Sequence, residues 1–150
     1  MQKITIRDIQ KFKDQRTPFA TVTAYDYVSA RIADAVEIPL LLVGDSAAMV
    51  VYGMDTTIPI SMEEMIFLVR AVCRGSNKSL VVADMPFMSY QASVEDAVRN
   101  AGRFVKEGGA EAVKLEGGRA YTAQIKAIID AGIPVMGHIG LLPQSYHLSS

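Results

Sequence analysis

Positions 39–43 form an unbroken apolar run that ends at Gly44 and is followed by Asp45 and Ser46. A run without polar alternation predicts a strand that is buried on both faces, as in a parallel sheet covered by helices. Asp45 and Ser46 would then lie at the carboxyl end of the strand, where α/β proteins bind ligands. A helix cap is an equally good interpretation of a single Asp at this position. The interpretation therefore depends on whether the arrangement recurs along the chain.

Similar apolar runs do recur, and amphipathic helical patterns separate them. Strands are predicted at residues 19–24, 39–43, 80–83, 111–115 and 133–137, and a short helix at 5–13 precedes the first of them. This alternation of strand and helix predicts a parallel sheet with right-handed crossovers. The first strand is not followed by a dinucleotide-binding Gly-x-Gly-x-x-Gly segment, and the sequence has no Walker loop.

Polar residues at the ends of the predicted strands favour a (β/α)₈ TIM barrel. Such a barrel typically has about 250 residues. The 150 residues of this chain would therefore form the N-terminal part of a single barrel domain, roughly its first five βα units. We expect this part alone to be inactive and to expose an unpaired sheet edge.

Composition and charge restrict the classes of function. Half of the residues are hydrophobic and the formal net charge is -1, which favours a folded core and offers no basic surface for nucleic acid. The N-terminus lacks the apolar segment of a signal peptide, and no run is long enough to span a membrane. We therefore expect a cytoplasmic protein that does not bind membranes. The single cysteine, Cys73, lies in an amphipathic helical pattern, which predicts a buried structural thiol.

Three acidic residues, Asp45, Asp84 and Glu116, stand at the ends of consecutive predicted strands. If those strands are neighbours, the three carboxylates open onto one mouth of the barrel. Two unit charges about 4 Å apart repel by roughly 4 kcal/mol at an effective dielectric near 20, so the cluster needs protons, a cation or both. Oxygen ligands favour Mg²⁺, and no Cys or His pair has the spacing of a zinc site. Alternatively, the acids cap separate helices or pair only with a lysine.

That lysine is Lys114, two positions before Glu116 and on the same face of the fourth strand. An inward lysine in a barrel must contact anions. It could neutralise the acidic cluster, or it could hold a substrate carboxylate or an enolate, which we prefer. His138 follows the fifth strand; a hydrogen-bonded structural histidine is the favoured interpretation, and a secondary role at the site is the alternative.

Five segments, taken in order, resemble ketopantoate hydroxymethyltransferase. They are residues 23–27 (TAYDY), 43–46 (VGDS), 83–90 (ADMPFMSY), 114–118 (KLEGG) and 137–145 (GHIGLLPQS). The resemblance implies a (β/α)₈ enzyme of pantothenate and coenzyme A biosynthesis. Such an enzyme transfers a one-carbon unit from 5,10-methylenetetrahydrofolate to 3-methyl-2-oxobutanoate and gives 2-dehydropantoate. It also implies a homo-oligomer.

The resemblance further implies roles for individual residues. The metal ligands for Mg²⁺ would be Asp45, Asp84 and Glu116, the last directly or through water, and the oxo acid would be held by Asp45, Ser46, Asp84 and Lys114. The metal would stabilise an enolate that attacks the one-carbon unit. The glutamate that serves the family as general base is expected downstream of Ser150, so we assign no catalytic base within this chain.

Two other functions stay open. The first is a Mg²⁺-dependent oxo-acid lyase or mutase of the phosphoenolpyruvate type. The second is a non-catalytic half-barrel that contributes only a scaffold. Isotope exchange at C3 of 3-methyl-2-oxobutanoate would favour the transferase, whereas a chain that binds no metal and catalyses no exchange would favour the scaffold.

Overall fold

The chain forms one parallel sheet of five strands, with the strands side by side in the order of the sequence. This is seen in a computed structural model, which describes residues 2–145. The strands are β1 (Thr21–Thr23), β2 (Leu40–Val43), β3 (Leu80–Asp84), β4 (Ala112–Glu116) and β5 (Val135–His138). Every neighbouring pair is parallel. Parallel strands in sequence order, with helices after each of the first four, are the architecture predicted for the first units of a barrel.

Six α-helices accompany the sheet within the described residues. They are α1 (Ile6–Asp14), α2 (Tyr27–Ala35), α3 (Ala47–Val50), α4 (Met62–Gly75), α5 (Val94–Arg103) and α6 (Thr122–Asp130). Polar caps define where several of them begin. The Asp26 carboxylate accepts the backbone N–H groups of Val28 and Ser29 at the start of α2. Ser61 and Glu64 form a reciprocal capping box at the start of α4.

The two faces of the sheet are buried in different ways. Alternate residues of the strands, such as Leu41, Val81 and Leu115, pack into the large core beneath the helices. The other face carries a smaller cluster that includes Leu80, on which the N-terminal residue Ile4 packs. Because strand side chains alternate, Lys114 and Glu116 lie on the side opposite Leu115, as predicted.

The boundaries differ from the prediction where sequence periodicity is weak. β1 is shorter than predicted. A 3₁₀ turn, Gly118–Tyr121, precedes α6, and the short helix α3 follows Ser46 directly. β4 and β5 end one residue later than predicted, so that Glu116 and His138 are the last residues of their strands.

Helix α1 lies within one residue of its predicted position. Cys73 is half-buried, less than predicted, and this burial raises the pKa of its thiol to about 11, which keeps it protonated at neutral pH and is typical of a structural thiol. No helix in residues 2–145 is long and apolar enough to cross a membrane. His147, to which the sequence assigned no role, lies outside the described residues.

Candidate active site

Strand register brings the predicted site residues to one edge of the sheet. Asp84 and Lys114 are direct partners across β3 and β4, and Glu116 is the partner of His138 across β4 and β5. Asp45 follows β2, which pairs with β3. The carboxyl ends of parallel strands carry the active sites of barrel enzymes, so the geometry places these side chains where such a site is expected.

Asp84 is the most buried acid of this group, with an exposed fraction of 2%. Its Oδ2 accepts a hydrogen bond of 2.6 Å from Lys114 Nζ and one of 3.3 Å from the Asp45 backbone N–H. Its Oδ1 is buried and accepts no hydrogen bond from any part of the chain that the structure describes. Burial raises the pKa of Asp84 to about 7, and the Asp45 charge adds to this although Lys114 opposes it. The positive charge of Lys114 therefore does not fully offset the cost of burying the Asp84 carboxylate.

Glu116 is also buried, and its two oxygens have different neighbours. Oε1 accepts the backbone N–H of Gln144 at 2.7 Å. Oε2 lies 3.4 Å from His138 Nδ1, which has no hydrogen bond within residues 2–145. Burial raises the pKa of Glu116. The hydrogen bond from the Gln144 N–H lowers this pKa, and the Asp45 charge raises it further. His138 thus adjoins the acidic site through Glu116, which the sequence could not show because the register of β4 and β5 was unknown.

Ser46, predicted to hold the oxo acid, is held in place by Tyr25, which follows β1. Its hydroxyl lies 2.8 Å from the hydroxyl of Tyr25. A Cβ at position 44 would stand 2.9 Å from the Ser46 hydroxyl, so Gly44 leaves the space in which Ser46 turns towards Tyr25. The hydroxyl therefore has a defined position at the same edge as Asp45.

Gln144 is the functional candidate that the sequence did not single out. Its side-chain Nε2 donates to Asp45 Oδ2 at 2.9 Å, while its backbone N–H contacts Glu116. It lies in a short 3₁₀ turn, Pro143–Ser145, within a segment to which no element was assigned. The only sequence signal was its membership of the resembling segment 137–145.

The three predicted metal ligands do not form one compact cluster. Among residues 2–145, no three His, Cys, Asp or Glu side chains are placed to hold one metal ion. Gln144 contacts both Asp45 and Glu116. Asp45 and Asp84 are adjacent, however, and the unpartnered Asp84 Oδ1 is the kind of oxygen that a hard cation such as Mg²⁺ binds. The donor chemistry fits Mg²⁺ at these two aspartates.

A cavity of about 320 Å³ adjoins this edge. Its walls are mostly apolar and aromatic and include Phe87 and Tyr121, while Glu116 and Gln144 lie at its polar side. Small-molecule sites typically combine such walls with a few polar groups that converge on one point. Of the three predicted acids, Glu116 lines this cavity, whereas Asp45 and Asp84 are not among its wall residues within residues 2–145.

Comparison with known proteins decides the family. A family model described as ketopantoate hydroxymethyltransferase matches residues 3–150. The chain belongs to the ketopantoate hydroxymethyltransferase family. It is 57% identical over 145 residues to the 3-methyl-2-oxobutanoate hydroxymethyltransferase of Carboxydothermus hydrogenoformans, covering 97% of the chain and 52% of that relative. The Thermobifida fusca protein of the same name is 54% identical over 147 residues, covering 98% of the chain and 52% of that relative. The chain thus spans about half the length of the curated relatives it matches.

Solved structures support the fold. The chain resembles 2,3-dimethylmalate lyase, a member of the PEP mutase/isocitrate lyase superfamily, with a TM-score of 0.67 and 17% identity over 87% of the chain and 51% of the lyase. It resembles phosphonopyruvate hydrolase, solved with oxalate and Mg²⁺, with a TM-score of 0.70 and 14% identity over 86% of the chain and 50% of the hydrolase. Identities this low concern the fold alone, and they confirm the predicted half-barrel.

Proposed function

We propose that this chain carries the oxo-acid site of a 3-methyl-2-oxobutanoate hydroxymethyltransferase. The reaction moves a hydroxymethyl group from 5,10-methylenetetrahydrofolate to 3-methyl-2-oxobutanoate and gives 2-dehydropantoate for pantothenate and coenzyme A biosynthesis in the cytoplasm. The observation that carries the proposal is the buried Lys114–Asp84 pair beside Asp45, in a chain of this family. A homo-oligomeric state is part of the same proposal.

Lys114 supplies the positive charge that an oxo acid requires. Its side chain is 12% exposed, and within residues 2–145 one of its three N–H donors is used, in the contact with Asp84. A substrate carboxylate or keto oxygen can accept another. When C3 loses its proton, negative charge moves to the keto oxygen, and a fixed ammonium in a water-poor site stabilises that charge. Ser46, held by Tyr25, offers a hydroxyl to the same molecule.

Asp45 and Asp84 would hold Mg²⁺ directly, and Glu116 would reach it through water. When bound, the ion supplies Lewis-acid polarisation of the keto group, which makes the C3 proton removable. The charge of the ion would offset the repulsion between the two aspartates, which Lys114 alone does not balance.

The base that removes the C3 proton is assigned outside these residues. Glu64 caps α4 by accepting the N–H and the hydroxyl of Ser61, and Glu63 pairs with Arg103 on the surface. Neither carboxylate adjoins Lys114. In this proposal a glutamate beyond the chain serves as the base, as the family resemblance implies.

Isotope exchange tests the proposal. The product of the native gene is incubated in D₂O with 3-methyl-2-oxobutanoate and Mg²⁺, and the C3 proton signal is followed by NMR. We expect exchange that depends on Mg²⁺ and product formation when the folate donor is added. We expect Lys114→Met to slow exchange by about 100-fold or more. Lys126→Met, which removes an exposed lysine paired with Asp130, is the matched control and should exchange at the native rate.

Two outcomes would contradict the proposal. Activity confined to phosphonate or isocitrate-like substrates would identify a lyase or mutase instead. A native protein that neither exchanges the C3 proton nor binds Mg²⁺ would support a scaffold role.

A further inference from the structure

Gln144 is saturated with hydrogen bonds in the interior of the site. The residue is 6% exposed. Its amide nitrogen donates to Asp45 Oδ2 and to the Met85 carbonyl, both at 2.9 Å. Its amide oxygen accepts from the Tyr90 hydroxyl at 2.8 Å and from Gln91 Nε2 at 3.0 Å. A glutamine amide has two N–H donors and two lone pairs, so these four partners use its full capacity.

The partners also fix which way the amide points. The Met85 carbonyl can only accept, and the Asp45 carboxylate accepts while it is ionised, so both require the NH₂ side of the amide. A flipped amide would place oxygen against oxygen at both contacts. The Gln144 side chain is therefore held in a single orientation.

We propose that Gln144 is a positioning residue that sets the relative orientation of Asp45 and Glu116 for a divalent cation. The inference rests on the proposed function. Gln144 donates from its amide to Asp45 Oδ2 and from its backbone N–H to Glu116 Oε1. The proposal assigns the second oxygen of each carboxylate to the side of the cation, and for Glu116 that oxygen, Oε2, also lies 3.4 Å from His138 Nδ1.

A neutral amide suits this task better than a second lysine would. Asp84 already has the Lys114 ammonium as its partner. Another fixed positive charge beside Asp45 would compete with the cation, whereas an amide donor orients the carboxylate and leaves its charge in place. Groups that hold the ligands of a metal in this way contribute strongly to affinity, and their substitution typically weakens metal binding by about 10 to 100-fold.

The contact also connects distant parts of the chain. Gln144 follows β5 and Asp45 follows β2, 99 positions earlier. The Ser145 backbone N–H donates to the Leu142 carbonyl, which closes the turn that presents Gln144. The turn after β5 thereby supplies a hydrogen-bond donor to Asp45, which follows β2.

Binding of Mn²⁺ alone, measured with the native gene product by electron paramagnetic resonance, tests the inference without an activity assay. Gln144→Met keeps the approximate length of the side chain and the backbone N–H but removes the amide. We expect its Mn²⁺ dissociation constant to rise by about 10 to 100-fold. Gln10→Met is the matched control: Gln10 is exposed on α1 and donates to Asp14, so the dissociation constant of this variant should equal the native value.

The outcomes separate positioning from mere structural support. If Gln144→Met lowers the Tm but keeps the native dissociation constant, the inference is overturned. If that variant does not fold, Gln144→Asn replaces it, because its amide is one methylene too short to reach Asp45. We expect the same rise there, and an unchanged constant again overturns the inference.

Failure of the proposed function gives a different pattern. If Asp45→Asn and Asp84→Asn bind Mn²⁺ as the native protein does, the metal centre itself is wrong, and this inference falls with it. If both variants lose Mn²⁺ binding while Gln144→Met retains it, only the role of Gln144 is contradicted.

Discussion

Asp34 and Asp84 are both buried at opposite ends of β3, yet their pKa values are shifted in opposite directions. Asp34, on α2, contacts the residues that lead into the strand, and Asp84 is the last residue of the strand. The pKa of Asp34 is lowered to about 2, whereas that of Asp84 is raised to about 7. Asp34 Oδ1 accepts four hydrogen bonds, whereas Asp84 Oδ1 accepts none within residues 2–145. The carboxylate at the amino end of the strand is stabilised in its charged form, and the one at the carboxyl end, where barrel enzymes carry their active sites, is not.

The difference at Asp34 comes from hydrogen bonds. Burial alone would raise its pKa, but the backbone N–H groups of Ser79, Lys78 and Asn77 and the Ser76 hydroxyl lower it. The N–H contacts from Lys78 and Ser79 are 2.7 and 2.9 Å long. A carboxylate that accepts several such bonds is stabilised in its charged form.

The largest effect is expected from Asp84→Asn. The amide removes the charge that would bind the cation, so the Mn²⁺ dissociation constant of the native gene product should rise by at least about 100-fold, more than for a group that only orients a ligand. The substitution also leaves the buried Lys114 ammonium without its charged partner, so Mn²⁺ binding, not stability, is the measurement that tests it. Retained Mn²⁺ binding would erase the contrast between the two ends.

Asp34→Asn should give the reverse result. The depressed pKa corresponds to about 2 kcal/mol of stability at neutral pH, which the neutral amide forfeits. Urea unfolding measures this loss. Mn²⁺ binding should match the native protein, and a weakened affinity would show that the two ends are coupled.

The pH dependence of stability sharpens the same contrast. The pKa of Asp34 in the fold is about 2, below its ordinary value of 3.8, so its contribution is fully present above pH 4 and is lost as the pH falls towards 2. Over this interval the native protein should lose about 2 kcal/mol more than Asp34→Asn. Urea unfolding at a series of pH values tests this, and parallel curves for the two proteins would contradict it.

The smallest effect is expected from Lys78→Ala. The Lys78 side chain pairs with Glu37 at the surface, while its backbone N–H bonds Asp34. The substitution removes an exposed ion pair, which contributes little, and keeps the N–H. The free energy of unfolding should stay within experimental error of the native value. A loss as large as that of Asp34→Asn would assign the stabilisation to the side chain instead.

Sequence patterns predicted the parts of the fold that depend on local periodicity. The buried aliphatic run before Asp45 and its recurrence before Asp84 predicted neighbouring parallel strands, which the sheet confirms. The alternation of β4 predicted that Lys114 and Glu116 share a face. These features follow from side-chain period and require no knowledge of distant contacts.

Contacts between distant segments were not predictable in this way. Gln144 lies in a turn without periodicity, and its partner Asp45 is far away in the chain. Asp34 lies among apolar residues on an ordinary amphipathic helix, so the sequence pattern did not indicate that its carboxylate is buried and accepts several hydrogen bonds. The pairing of His138 with Glu116 needed the register of β4 and β5. In each case tertiary packing, not local sequence, determines the role of the residue.

The central claim is that the aspartates associated with two adjacent strands hold a cation beside the oxo acid. The most direct test is the anomalous difference map of the native gene product crystallised with Mn²⁺ and 3-methyl-2-oxobutanoate. We predict a peak within bonding distance of carboxylate oxygens of Asp45 and Asp84, with the oxo acid in reach of Lys114. A peak that lies elsewhere, with both aspartates making only protein contacts, would contradict the account.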